Sequence, residues 1–288
     1  MKLYLNARDD QITFNKKHYL LRAAKRMGLE DVVLDAAIHP EDKMESVLNI
    51  EPFVDFKKGT NWTGIWEIDV QFDRPQMSMS NWVHCNAVFI ANNNLPKRMN
   101  FNGPVITLFQ ACDPVLHRRL EVEPEFDFIS CGSAGMDYID KDGNVHDIYE
   151  GRTKAISILR SAGYSFGDLG KGHEPEEYVK RLNKARVQFV RSGAHEPWGS
   201  QVEQRFFECL AIGPLLKDWH SDLAHTGLIE GVDYFSYKDD EEMVAKMSIL
   251  INNPEFAKKM AISGRRKAVA YHSYESRLGA ILAHIALK

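Results

Sequence analysis

Cysteine is scarce in this chain. The four that occur, Cys85, Cys112, Cys131 and Cys209, show no CxxC or other metal-ligand spacing. A small disulfide scaffold is implausible at 288 residues, and four scattered thiols fit buried, reduced side chains. Long apolar runs are missing too. Nothing approaches the roughly 18 apolar residues that a membrane-spanning helix needs. The opening MKLYLNARDDQITF has too short an apolar stretch before its charges to read as a signal peptide. These absences predict a cytoplasmic protein. No Gly-x-Gly-x-x-Gly follows the first apolar run, where residues 6–10 read NARDD, which argues against a dehydrogenase. Positive charge is not in excess either. The net charge of −4 speaks against a generically basic nucleic-acid binder or a polybasic membrane adaptor.

What is present is an ordinary globular composition, 44% hydrophobic and 26% charged, which is enough to bury a real core. Short apolar runs alternate with helical patterns from end to end. Residues 2–6, 31–38, 67–72, 87–92, 105–110 and 126–131 read as strands, and residues 16–27 as a helix with Tyr19, Leu20, Ala23, Ala24 and Met27 on one face. Strands separated by helices imply parallel βαβ units and an α/β fold. Residues 105–110, apolar on both faces, read as a central parallel strand. The stretch 137–150, DYIDKDGNVHDIYE, is polar and turn-rich through Asp142-Gly143. After it the alternation restarts: helices over 152–162, 174–185 and 200–211, and strands over 164–169, 186–191, 214–219 and 233–237. The last 50 residues are nearly all helical, with Pro254 opening one helix. Two α/β halves follow, 1–143 and 144–270, with a tail helix over 271–288. Ligands of such open sheets bind at the carboxyl ends of the strands.

The densest signal is SGAHEPWGSQVEQRFFECLAIGPLLKDW, residues 192–219. It reads as a strand end, a polar loop, an amphipathic helix beginning near Gly199-Ser200, and another strand. The free N–H groups at a helix start favour a phosphate. Arg205 adds positive charge one turn in, and Glu208 shares its face. A carboxylate at that position can accept from both hydroxyls of a ribose. An Arg–Glu surface pair on a plain amphipathic helix is the competing reading of the same residues.

The run Arg205-Phe206-Phe207-Glu208-Cys209-Leu210-Ala211-Ile212-Gly213-Pro214 resembles the group 1 glycosyltransferases, in the branch typified by spore-maturation glycosyltransferases. The segment 223–237, then Asn253-Pro254, Ile262-Ser263-Gly264-Arg265-Arg266, Tyr271-His272-Ser273-Tyr274 and Arg277 extend the likeness, which runs from about Gly151 to Leu287. The resemblance implies a GT-B fold, with two Rossmann-like domains facing across a cleft and the C-terminal helix crossing back to the first. It implies a nucleotide-sugar donor, with UDP the expected nucleotide, and no obligatory cofactor or metal. Glu208 would hold the ribose, and Arg205 with the helix start at Gly199 and Ser200 would hold the diphosphate. Arg152 and Lys171 are further phosphate candidates, Lys171 equally readable as an exposed turn lysine. The family's paired glutamates, eight positions apart, are not both present: Ser200 stands eight before Glu208. Neither Glu196 nor Glu203 sits at the right spacing to substitute for the missing one, and His195 and Glu196 are the better candidates for facing the cleft. Asp140-Lys141-Asp142 has the spacing of a metal motif but sits in the polar linker and reads as a turn.

The acceptor is expected on the N-terminal half. Asp113, following the strand over 105–110, is a candidate general base that would take the acceptor hydroxyl proton. An Asx-Pro turn is its equal alternative. His117 lies within reach of the same position. Trp62, Trp66 and Trp82 could stack on a sugar or base, although core packing fits at least two of them better. Among acceptors, a hydroxymethylated base in phage DNA stands beside a glycan or small metabolite. Residues 1–143 carry 16 Lys+Arg against 21 Asp+Glu, so any DNA groove would rest on local pairs such as Lys16-Lys17, Lys57-Lys58, Lys97-Arg98 and Arg118-Arg119. Two rival classes share the scaffold: a nucleotide-sugar epimerase or hydrolase, and a non-catalytic nucleotide-sugar-binding protein.

Overall fold

The computed structural model describes residues 2–7, 16–34, 46–50, 59, 62–67, 82–91, 105–131, 137–139, 145–147, 149–170, 173–192 and 202–286. The chain divides into two compact units, Met1–Gln110 with Tyr274–Lys288, and Ala111–Ser273.

The first unit is built on strands β1 (Leu3–Ala7), β2 (Val32–Leu34), β3 (Ser46–Ile50), β4 (Trp62–Glu67), β5 (Ala87–Ile90) and β6 (Val105–Thr107), with helix α1 (Lys16–Arg26) between the first two. All pairings are parallel, in the order β2-β1-β3-β4-β5-β6. β3 and β5 are buried along their whole length, as inner parallel strands must be. Asn49, in the middle of β3, is tolerated there because its amide donates to the Gly64 carbonyl at 3.2 Å. Trp66 and Trp82 are core residues; the Trp66 indole N–H donates to the Leu108 carbonyl at 2.9 Å. The Trp62 side chain lies outside the described residues.

The second unit holds a five-stranded parallel sheet, β10-β7-β11-β12-β13, made from β7 (Phe126–Ser130), β10 (Phe166–Gly167), β11 (Ala185–Val190), β12 (Leu215–Asp218) and β13 (Phe235–Tyr237). A small antiparallel pair, β8 (Asp137–Ile139) with β9 (Val145–Asp147), occupies part of the stretch expected to be linker. Its helices are α2 (Glu150–Ser161), α3 (Pro175–Asn183), α4 (Gln204–Ile212), α5 (Asp240–Asn252) and α6 (Pro254–Tyr271). Phe128, Val187, Phe189, Leu216 and Phe235 from the strands pack on Ala155 and Leu159 of α2, Met243 and Met247 of α5, and Met260 of α6.

Three expectations are corrected. The strand starting at Val105 is the sheet edge, not its centre; the missed strand β3, with β1 and β4, takes the inner positions. Glu67, expected to open a strand over 67–72, instead ends β4, and residues 68–72 lie outside the described residues. The division falls after Gln110 rather than at Gly143, because β7 pairs with β11 and β10 in the second sheet. The last helix, α7 (Tyr274–Ala286), belongs to the first unit, where Tyr274 stacks on Tyr19 with ring centroids 5.0 Å apart and meets Trp66 edge-on.

Candidate functional site

Of the candidate donor residues, Arg152, Arg205 and Glu208 are described, and all three lie in the second unit, on the helices α2 and α4. Helix α4 begins at Gln204, not near Gly199-Ser200 as the sequence pattern suggested, because Val202 and Glu203 are non-helical and Glu203 is extended at the N-cap position. It is buried on every face rather than amphipathic as its sequence suggested, since every residue from Phe206 to Ile212 is buried. Arg205 stands in its first turn with an exposed side chain. Arg152, in the first turn of α2, is buried, and its Nε and Nη2 donate to the Arg191 carbonyl at the end of β11, at 3.1 and 2.6 Å. Its guanidinium lies 4.6 Å from the Tyr149 ring centroid, a cation–π distance. Burial lowers the Arg152 pKa; the Glu203 charge opposes this and the Arg205 charge adds to it.

Glu208, one turn further along α4, is 2% exposed. Its Oε2 accepts from the Tyr178 hydroxyl of α3 at 3.0 Å, and its Oε1 accepts from the Gln204 amide at 2.5 Å. Burial, then the Glu208 charge, pushes the Tyr178 pKa up, so the phenol stays protonated and remains a donor. His117 Nε2 lies 3.5 Å from Glu208 Oε1. Because His117 Nδ1 accepts the Asp113 backbone N–H at 2.9 Å, the proton of the neutral ring is on Nε2, facing the carboxylate. The Arg205 pKa is raised: burial acts against its charge, and nearby acidic groups, the Glu208 and Glu203 carboxylates among them, outweigh that.

The structure places Asp113 and His117 in the second unit, not on the acceptor half. Arg265 of α6 fixes their segment by donating to the carbonyls of Pro114, His117 and Ala211. The Asn183 amide adds a bond to the Arg118 carbonyl, while its oxygen accepts from Leu120 N–H. Asp113 is fully buried, and its Oδ1 accepts from the N–H groups of Val115 and Leu116. This is the Asx-Pro turn, and a carboxylate enclosed in it faces no acceptor from solution. Lys171, His195, Glu196, Gly199 and Ser200 lie outside the described residues, as do Asp140 and Asp142. Among the described residues no cluster of three or more His, Cys, Asp or Glu is arranged to hold a metal. No helix described is long and apolar enough to cross a membrane.

Two features escaped the sequence reading. Lys217 of β12 is completely buried beside Ser192, Asp218 and Glu203. A lysine followed by an aspartate in an otherwise apolar inner strand was the available signal. Cys131 and Cys209, 78 residues apart in sequence, bring their sulfurs to 3.0 Å; spacing alone carries no trace of that.

Residues 153–283 match the model of the glycosyl transferase-like family, from α2 into α7. No curated protein matches the sequence. Solved structures are similar over almost the whole chain. AviGT4, a glycosyltransferase involved in avilamycin A biosynthesis, aligns with a TM-score of 0.66 over 99% of this chain and 97% of its own, at 12% identity. Anabaena Alr3699/HepE, solved with UDP and glucose, aligns at 0.65 over the full length of both chains, at 8% identity. T4 phage BGT, solved with UDP-glucose, aligns at 0.59 over 99% of each, at 11% identity. The fold is GT-B. Within this GT-B chain the family match lies mostly on the second unit, the unit that carries Arg152, Arg205 and Glu208.

Proposed function

We propose that this GT-B chain transfers a sugar from a nucleotide-sugar to an acceptor hydroxyl, and that its second unit binds the nucleotide half of the donor. The observation that carries this reading is the start of α4, where Arg205 is an exposed residue of the first turn and the Glu208 carboxylate is fixed one turn on by Tyr178 and Gln204, with the Arg152 guanidinium held at the end of β11. Two cations brought together at the carboxyl edge of a parallel sheet suit a diphosphate. The family match over 153–283 supports the same assignment.

In this reading Arg205 takes the diphosphate directly. Arg152, already donating to the Arg191 carbonyl, contributes mainly charge and holds the β11 end in place. Glu208 accepts from the ribose through lone pairs that a carboxylate retains after two hydrogen bonds. The Tyr178, Gln204 and His117 contacts keep that carboxylate in one orientation, so little ordering remains for the donor to impose. Leaving-group stabilisation follows from the same cations: negative charge grows on the diphosphate as the glycosidic bond breaks, and a fixed arginine interacts more strongly with it then. UDP-glucose is the first donor to test, because T4 phage BGT was solved with it.

The test is nucleotide release from a panel of UDP-, GDP- and ADP-sugars, with hydroxymethylated DNA, oligosaccharides or buffer alone as acceptor, followed by acceptor mass. Release that depends on an acceptor, with a matching mass gain, is expected. Release without any acceptor would make the protein a hydrolase, and donor binding with no release would make it a binding protein. Glu208→Gln preserves shape and removes charge; the loss of a charged hydrogen bond should weaken UDP-sugar binding by about 1.5–3 kcal/mol. Calorimetry showing unaltered affinity would remove Glu208 from the donor site.

A further inference from the structure

Lys217 is 0% exposed on β12, an inner strand of the second sheet. An ammonium has three protons to donate and no way to accept; here it donates two hydrogen bonds and has a second carboxylate at ion-pair distance. Ser192 Oγ and Asp218 Oδ1 are each at 2.5 Å, and Glu203 Oε2 is at 3.4 Å. Asp218 Oδ1 also accepts the Ser192 backbone N–H at 3.0 Å. A buried ammonium is costly unless paired. Burial alone would lower its pKa, but Asp218 and Glu203 raise it, so the lysine is charged.

What the cluster joins is specific. Ser192 follows the end of β11, Asp218 ends β12, and Glu203 leads into α4. Glu203 holds the N-cap position of α4, where the shorter Asp or Asn would accept from the first N–H groups of the helix. Glu203 makes no such side-chain cap bond and is ion-paired with Lys217 instead. Its charge is also felt by Arg152 and Arg205. Lys217 therefore competes with the two arginines for one carboxylate.

We propose that Lys217 is a positioning residue for donor binding, holding the Glu203 carboxylate away from Arg205 and fixing the start of α4 to the carboxyl edge of the second sheet. This rests on the sugar-transfer reading above. Lys217 touches no donor itself; it acts through Glu203, Ser192 and Asp218. Without it, Glu203 is free to pair with Arg205 or to cap α4, and either occupies groups assigned to the diphosphate.

The experiment compares wild type, Lys217→Met, Glu203→Gln and the double variant Lys217→Met/Glu203→Gln. Amide deuterium uptake is read over residues 202–206 in the ligand-free proteins, and KM and kcat are read with UDP-glucose or whichever donor the panel identifies. Lys217→Met should speed uptake over 202–206 while leaving α6 unchanged. It should raise the donor KM about tenfold, with kcat within about twofold, the size expected when a charged contact is lost from a binding site. The double variant should recover most of the donor KM, because no unpaired carboxylate remains to compete for Arg205. Glu203→Gln alone also breaks the ion pair but leaves no carboxylate to compete for Arg205, so it should speed uptake over 202–206 while raising the donor KM less than Lys217→Met does, a check that does not depend on whether Lys217→Met folds well. Unchanged KM in Lys217→Met, or a double variant no better than the single one, overturns the proposal. A wild-type protein that binds no nucleotide-sugar overturns the sugar-transfer reading, and the role of Lys217 with it. Wild-type binding with an indifferent Lys217→Met overturns only the role of Lys217.

Discussion

Asp233 is a buried carboxylate whose contribution to stability depends on its charge. Its Oδ2 accepts from Lys267 and from the Ile229 N–H, both at 2.7 Å, and its Oδ1 from the Ser263 hydroxyl at 2.6 Å. Burial alone would raise its pKa, but these three donors outweigh burial and hold it below 3.8. A carboxyl depressed in the folded state stabilises fully above its unfolded pKa and loses that contribution as pH falls through the folded value. Asp233→Asn should therefore cost about 1–3 kcal/mol at neutral pH. The gap to wild type should narrow in acid, which urea midpoints measured at neutral pH and in strong acid will show. A gap that stays constant into acid would mean that Asp233 carries no proton-linked stability. Glu208 and Asp113 are the contrasting carboxylates. Both residue types were visible in sequence, but only the structure shows that Glu208 sits behind Arg205 while Asp113 closes a turn.

Helix packing supplies the next test. Gly264 lies on α6 where it crosses α4, and a Cβ there would stand 2.5 Å from the Asp233 carbonyl oxygen and 2.6 Å from Leu210 Cδ1. Alanine is worth up to about 1 kcal/mol over glycine in a helix interior. Contact with a fixed backbone oxygen is worth more in the opposite sense, since overpacking costs about 1–3 kcal/mol. Gly264→Ala should lower Tm; a rise would show that the two helices separate easily. The elements were legible where periodicity and punctuation agreed. Pro254 opens α6, and α2, α5 and β7 fall close to their sequence patterns. They were illegible where burial by neighbours overrode local signal. SVLNI reads as nothing in particular, yet it is an inner strand because Asn49 finds the Gly64 carbonyl. VITLFQ reads as a central strand, yet only Val105–Thr107 pair, at the sheet edge. Strand order is a property of partners, and one sequence does not contain it.

Across the whole chain, the first unit depends on its last helix. Arg277 of α7 is nearly buried and donates from Nε to the Phe109 carbonyl at 2.6 Å and from Nη2 to the Gln110 carbonyl at 3.1 Å. Arg277→Met would leave those carbonyls without a cationic donor and should destabilise the first unit by about 2–4 kcal/mol. Deuterium uptake should rise in α1 and α7 and stay unchanged in α5 and α6; a uniform rise would contradict that placement. The two-unit plan was legible from the restart of the alternation. Its boundary was not, because residues 111–131 are assigned to the second unit by partners far along the chain: Arg265, Asn183 and β11.

That plan makes the first unit discontinuous, with residues 111–273 inserted between its sheet and its closing helix. Ribosomes deliver the chain from the amino end, and domains fold as they emerge. The second unit is therefore fully synthesised before Tyr274 can reach Tyr19 and Trp66. The unit that begins first finishes last, and in the interval its six-stranded sheet waits with the α7 face uncovered. Chaperone dependence in the cell should concentrate on that waiting sheet. It should be eased by slowing translation before codon 111 far less than by speeding it through codon 286.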